Sequence, residues 1–198
     1  MFFEKVSLVT GGFDPIHSGH ISYFERAKDL SGYLVVGLNT EEWLTRKKGQ
    51  YFQSWKERAE IIRHLDMVDA VISYDDGDDS SCEGISRCLE IAEKVVFCNG
   101  GDRGKDNTPE TVKYGDDPRV QFEFGIGGDD KMNSSSWILK GYFDRQRKLL
   151  GIWFYLVLLW LSKILVPSIM GIEDLFKGSV VIKLLFCLMR CVDVLGRS

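Results

Sequence analysis

His17 and His20 stand three residues apart in the run GGFDPIHSGH, and two imidazoles at that spacing suit chemistry on a phosphate. They straddle the start of a helix, which lets both rings face one pocket, where they would stabilise charge building on a phosphoryl group. Gly11 and Gly12 in front of them, and Gly19 between them, let backbone amides and a helix N-terminus come close to an anion. Phe13 and Asp14 complete the turn. Three later groups can join them: Lys48 in RKKG, Gly101 and Asp102 in NGGD, and Ser134, Ser135 and Ser136 in NSSSWIL. Each also has a plainer reading. Lys48 can be one of three solvated charges, the serines an N-cap cluster, Asp14 a holder of its own loop, and Arg58 an ordinary charge on a helix surface. Asp75, Asp76, Asp78 and Asp79 lack the spacing and final glutamate of a calcium loop and read as solvated.

The elements that must position these groups alternate along the chain. KVSLVT is a strand ending at Gly11, and HISYFERAKDL is a helix with Ile21, Phe24, Ala27 and Leu30 on one face. YLVVGL is a second strand. After a basic loop, Ser54 and Glu57 form the capping-box signature of a helix over 54–65. VDAVISY, VVFCNGGD and VQFEFG read as further strands, CEGISRCLEIAEK as a helix between the first two, and NSSSWILKGYF as the start of another. This alternation predicts an α/β fold with a doubly wound, parallel, five-stranded sheet.

With 198 residues, 44% of them apolar, the chain can bury one good core and carry an appendage. The composition excludes collagen-like, disordered and disulfide-scaffold classes. Residues 1–140 hold 17 Lys/Arg against 25 Asp/Glu, whereas 141–198 hold 8 against 4. The acidic front argues against broad binding to nucleic acid, and the basic, apolar rear argues for a membrane or partner surface. Five scattered cysteines without a CxxC pair read as reduced thiols, and the N-terminus lacks the features of a signal peptide, so a cytoplasmic location is expected.

GGFDPIHSGH resembles the HxGH signature, GxFDxxHxGH, of the nucleotidylyltransferase superfamily, which includes cytidylyltransferases and several adenylyltransferases. RKKG followed by ERAEII resembles the basic loop and ER helix of its sugar-phosphate and polyol-phosphate members, with Arg58 in a supporting position. NGGD resembles their second nucleotide loop, and NSSSWIL is similar to the STT-type motif that opens the last helix. The pattern leans toward heptose-1-phosphate adenylyltransferases and glycerol-3-phosphate cytidylyltransferases, although Pro15 is also a feature of nicotinate-mononucleotide adenylyltransferases. Two positions depart from it: Gly12 replaces a threonine or cysteine, and Trp137 a basic residue.

The resemblance covers residues 5–140 and implies a Rossmann-like domain, a dimer, and transfer of a nucleoside monophosphate from ATP or CTP to a small sugar or polyol phosphate. His17 and His20 would then contact the α-phosphate and Lys48 would reach the phosphates from a flexible loop. Ser134, Ser135 and Ser136 would hold the β- and γ-phosphates, and a Mg²⁺ ion would bridge them. Gly12 and Trp137 motivate a second reading, a membrane-attached nucleotide-binding module without transfer activity.

These readings divide the chain into a nucleotidylyltransferase domain, 1–142, and an apolar helical segment, 143–198. Leu149 to Val166 is apolar except for Ser162 and Lys163 and is long enough to cover about 27 Å as a helix. RQRK at 145–148 would keep its start on the cytoplasmic side, and Trp153, Tyr155 and Trp160 suit a membrane interface. In the second run, Lys183, Arg190 and Asp193 make one polar stripe. Membrane contact through 149–195 is the expectation, with a soluble helical appendage as the alternative.

Overall fold

Strands whose apolar residues do not alternate with polar ones must be covered on both faces, and that requirement organises the front of this chain. The computed structural model describes residues 2–100, 108–126 and 134–169, with backbone alone at 159 and 161–169. Gly101, Asp102, Cys187, Cys191 and the second apolar run lie outside the described residues. Among the described residues, five strands, β1 (Phe3–Gly11), β2 (Leu34–Leu38), β3 (Ala70–Ser73), β4 (Ala92–Gly100) and β5 (Val120–Ile126), form one sheet in the order β3-β2-β1-β4-β5. Every pairing is parallel, giving the doubly wound Rossmann-like sheet that the alternation predicts.

The described residues also form six helices: α1 (Ser18–Asp29), α2 (Glu41–Lys48), α3 (Trp55–Arg63), α4 (Cys82–Leu89), α5 (Pro109–Tyr114) and α6 (Ser135–Ile169). Register fixes which strand residues meet which helices. Leu8 lies beside Val35 and Phe97, and Val9 beside Val36 and Cys98. Because successive side chains point to opposite faces, the Leu8 layer packs with Ile85 and Cys88 of α4 and Tyr114 of α5. The Val9 layer packs with Phe24 and Ala27 of α1 and Ala59 and Ile62 of α3. The chain winds toward β3 first and then crosses back to β4. The carboxyl ends of β1 and β4 therefore border the crevice where such sheets bind ligands.

The structure differs from the sequence expectation in three places. The basic loop around RKKG is the last turn of α2. That helix has an N-cap threonine, Thr40, whose Oγ1 accepts from the Trp43 N–H, glutamates in its first turn, and a left-handed Gly49 (φ 81°) at its C-terminal end. The helix expected over 82–94 stops at Leu89, because Ala92 and Lys94 already pair with Phe3 and Lys5 in the sheet. The glycine- and charge-rich stretch before β5 contains α5, capped by Thr108 with Pro109 in its first turn.

The chain divides into two compact units, Met1–Gly141 and Tyr142–Ser198. In the second, the described part of α6 exposes Leu149, Leu150, Ile152, Trp153, Phe154, Tyr155, Leu156 and Trp160. Among the described residues, no helix is long and apolar enough to cross a membrane.

Helix α2 is seated directly against the β1 turn. A Cβ added at Gly12 would lie 2.6 Å from Leu44 Cδ2, and Leu44 is fully buried. Gly12→Ala is therefore expected to lower unfolding free energy by about 1–2 kcal/mol in urea titrations, the range for overpacking a filled core. Gly12→Ala combined with Leu44→Val should lose less than the two single changes added together.

Candidate active site

The turn between β1 and α1 is built from short-range constraints. Phe13 takes a left-handed backbone (φ 47°), and its ring meets Phe24 of α1 edge-on at 4.9 Å and His20 at the same distance and attitude. Asp14 is buried and points away from solvent into the segment after α2. Its two oxygens accept from the Phe52 and Gln53 N–H groups at 2.6 and 2.9 Å. This is the loop-holding arrangement among the two readings of Asp14. Gly11 ends β1, and Gly19 lies in the first turn of α1.

His17 is the N-cap residue of α1, extended in backbone and without a side-chain capping bond, while the His20 N–H donates to the His17 carbonyl at 2.9 Å. Its ring stacks on that of His20, with centroids 3.6 Å apart and planes 22° from parallel. The Nδ1 atoms of both rings are buried without a hydrogen-bond partner. Burial lowers His17 below the ordinary histidine value, and Lys48 lowers it further. Burial, then His17, then Lys48 bring His20 down to about 3. Both shifts favour the neutral imidazole.

Lys48 arrives from α2 rather than from a flexible loop. Its Nζ would lie 3.7 Å from a Cβ placed on Gly12, which puts the ammonium over the β1 turn. Partial desolvation lowers its pKa, opposed by the Asp14 carboxylate and reinforced by Arg58. Arg58 itself is only 1% exposed, so it is not a surface charge. Its Nη1 donates to the Gly12 and Asn39 carbonyls at 2.8 and 3.0 Å and its Nε to the Gln53 carbonyl at 3.1 Å, while Nη2 is buried without a partner.

The last helix reaches the same turn. Ser135 is buried, and its hydroxyl donates to the Pro15 carbonyl at 2.8 Å. Ser134 precedes the helix, its carbonyl accepting from the Ile138 N–H at 3.0 Å, and Ser136 and Trp137 are exposed in the first turn. Tyr23 of α1 donates to the Cys98 carbonyl at 2.6 Å, tying the end of β4 to the helix that carries the imidazoles.

Sequence reasoning missed the shell around Asp76. This buried carboxylate accepts from the Thr40 N–H and hydroxyl, both at 2.8 Å, and from the Asn39 amide at 3.0 Å. The acidic run to which it belongs disguises it, since nothing local separates a buried aspartate from its solvated neighbours. Among the described residues no group of three or more His, Cys, Asp or Glu could hold a metal ion.

Depressed histidines make stability pH-dependent with a definite sign. Between about 3 and 6.5 the unfolded chain binds a proton that the folded His20 refuses, so stability falls as pH falls through that window and is fully present above it. Urea unfolding at pH 4.5 and pH 7 should show this loss, and His20→Asn should make it smaller than in the wild-type chain.

Comparison with known proteins agrees with this geometry. The cytidylyltransferase-like family matches residues 8–112, more than half of the chain. Bifunctional protein HldE of Geobacter metallireducens is 31% identical over 148 residues, covering 70% of this chain and 28% of the relative. HldE of Pseudomonas aeruginosa PAO1 is 34% identical over 122 residues, covering 59% of this chain and 24% of its own length. The chain thus spans about a quarter of these relatives. Among solved structures, the lipopolysaccharide core biosynthesis protein from Thermoplasma volcanium superposes with a TM-score of 0.50 and 25% identity, over 65% of this chain and 99% of that one. A parallel sheet in the order 3-2-1-4-5, an HxGH turn at its crevice and this family match lead to one conclusion: the chain belongs to the cytidylyltransferase-like family and carries a nucleotidylyltransferase domain.

Proposed function

We propose that this chain transfers a nucleoside monophosphate from ATP or CTP to a small sugar or polyol phosphate, with release of pyrophosphate. The observation that carries the reading is the stacked His17 and His20 pair at the N-terminus of α1, beside the Lys48 ammonium. An oxygen of the acceptor phosphate attacks the α-phosphorus, the bond from that phosphorus to the bridging oxygen breaks, and the electron pair leaves with pyrophosphate. No proton and no covalent enzyme intermediate are required, so positioning and charge stabilisation are the protein's contribution.

In this reading the two imidazoles donate to α-phosphate oxygens and strengthen their bonds as charge accumulates there. Lys48 supplies the cation, and the amides of Gly11, Gly12, Phe13 and Gly19 line the approach. Gly101 and Asp102 belong to the nucleotide-binding set by motif alone. Ser134, Ser136 and the first-turn amides of α6 take the outer phosphates, while Ser135 serves by holding Pro15. Asp14 and Arg58 act from behind the turn. A Mg²⁺ ion would supply charge neutralisation on the triphosphate. Asp14 has both oxygens bonded to amides, and such an ion usually takes few protein ligands.

The sugar or polyol acceptor is supported by the match to HldE and to a lipopolysaccharide core biosynthesis protein. Contact with an anionic membrane face is supported by the apolar exposed stretch of α6 behind Arg145, Arg147 and Lys148, which would meet lipid headgroups. A cytoplasmic location and a dimer complete the reading without a contact of their own.

Incubation with ATP or CTP, Mg²⁺ and a panel of sugar and polyol phosphates should release pyrophosphate with one pairing. His17→Ala should lower the rate at least about a hundredfold; unchanged turnover would reject the assigned role. Nucleotide binding by calorimetry without pyrophosphate release from any acceptor would select the binding-module reading instead. The full chain should sediment with vesicles of anionic lipid and stay in solution with zwitterionic ones, and Arg145→Glu with Arg147→Glu should abolish that difference.

A further inference from the structure

The acidic run Asp75–Asp79 lies within the front unit, and the proposed reaction does not use it. It connects β3 to α4, and it grips α2 at both ends. At the N-terminal end, the Asp76 carboxylate holds the Thr40 N–H and hydroxyl, and Thr40 in turn caps the helix through the Trp43 N–H. At the C-terminal end, Arg46 Nη2 donates to the Asp76 carbonyl at 2.8 Å and lies 3.4 Å from Asp79 Oδ1, while Lys47 Nζ lies 3.0 Å from Asp79 Oδ2. Asp79 adopts a left-handed backbone (φ 62°), closed by its own N–H to the Asp76 carbonyl at 3.1 Å, which brings both halves of the grip into one turn.

Three consecutive basic residues end α2, and the first two are spent on this loop. The third, Lys48, is the one whose ammonium stands over Gly12. We propose that the β3–α4 loop is a splint for α2, with Asp79 as a positioning residue that holds Lys48 over Gly12, in the turn that leads into the histidine pair, by engaging Arg46 and Lys47. The residue touches no substrate and acts through its neighbours on the helix. A terminal helical turn of four residues frays readily, and a lysine followed by a left-handed glycine has no further helix to steady it. Two cross-links from a loop rooted on a buried carboxylate supply that restraint. The hydrogen bond from Lys47, then that from Arg46, hold the Asp79 carboxyl below its ordinary range.

This inference rests on the transfer reading for its kinetic consequence but not for its structural one. Asp79→Asn and Asp79→Gly are the variants of choice, because both residues accept the left-handed backbone that alanine would strain. Among the described residues Lys48 is the charged group that, after burial, lowers the His17 pKa, so displacement of Lys48 is read as a rise in that pKa by NMR titration of the imidazole signals. Both Asp79 variants should raise it, in the direction set by Lys48→Ala, and should add nothing further when combined with Lys48→Ala. In pyrophosphate release, kcat/KM should fall about three- to fivefold in Asp79→Gly, the range open to a pair of exposed ionic contacts. The loss should vanish in the Lys48→Ala background. A His17 titration indifferent to Asp79, or a loss of equal size with and without Lys48, would overturn the proposal. Failure of the wild-type chain to release pyrophosphate would reject the transfer reading and leave the His17 titration to decide the splint.

Discussion

One buried guanidinium organises the reactive end of the sheet. Arg58 joins the carbonyl of Gly12 after β1, the carbonyl of Asn39 after β2 and the carbonyl of Gln53 before α3. Removing that charge from water is unfavourable, and burial accordingly lowers its pKa, with Asp14, Glu41 and Asp76 opposing the shift in that order. The carboxylates that balance it are themselves bonded to backbone. Asp14 holds 52 and 53, Glu41 accepts from the Trp55 N–H at 2.6 Å, and Asp76 holds Thr40. One cation and three anions thus set the spacing of three loops, and the imidazole pair inherits its geometry from them.

How much of this was legible beforehand depends on the range of the interaction responsible. The strands and α1, α3 and the start of α6 follow from local apolar pattern and caps, and the sheet from their alternation. The GGFDPIHSGH turn was legible because its chemistry is contiguous. Helix α2 was also written locally, in Thr40, the glutamates, the basic last turn and Gly49, but its short polar surface hid the single buried anchor, Leu44. The burial of Arg58 was not legible at all. Nothing in KERAEII distinguishes an arginine that turns inward from one that faces solvent; three carbonyls contributed by distant segments make the difference. The same holds for Asp76 within its acidic run.

Gly12 shows how a departure from a family pattern can be read physically. The space that a threonine or cysteine side chain would fill is taken by the Leu44 methyl group. The missing side chain therefore reflects how closely α2 approaches, and that approach also brings Lys48 over the turn. Its loss of a hydroxyl or thiol and its gain of a close helix are one structural fact.

The charge state of the imidazoles bears on how the products would leave. Pyrophosphate departs carrying most of the negative charge of the triphosphate, and a rigid cluster of permanent cations would retain it. Here burial lowers both histidine pKa values toward the neutral form, and the Lys48 ammonium is carried by the last turn of a short helix. Under the proposed reaction, such a site would hold the departing anion through directed bonds more than through fixed charge, which favours its exchange for water.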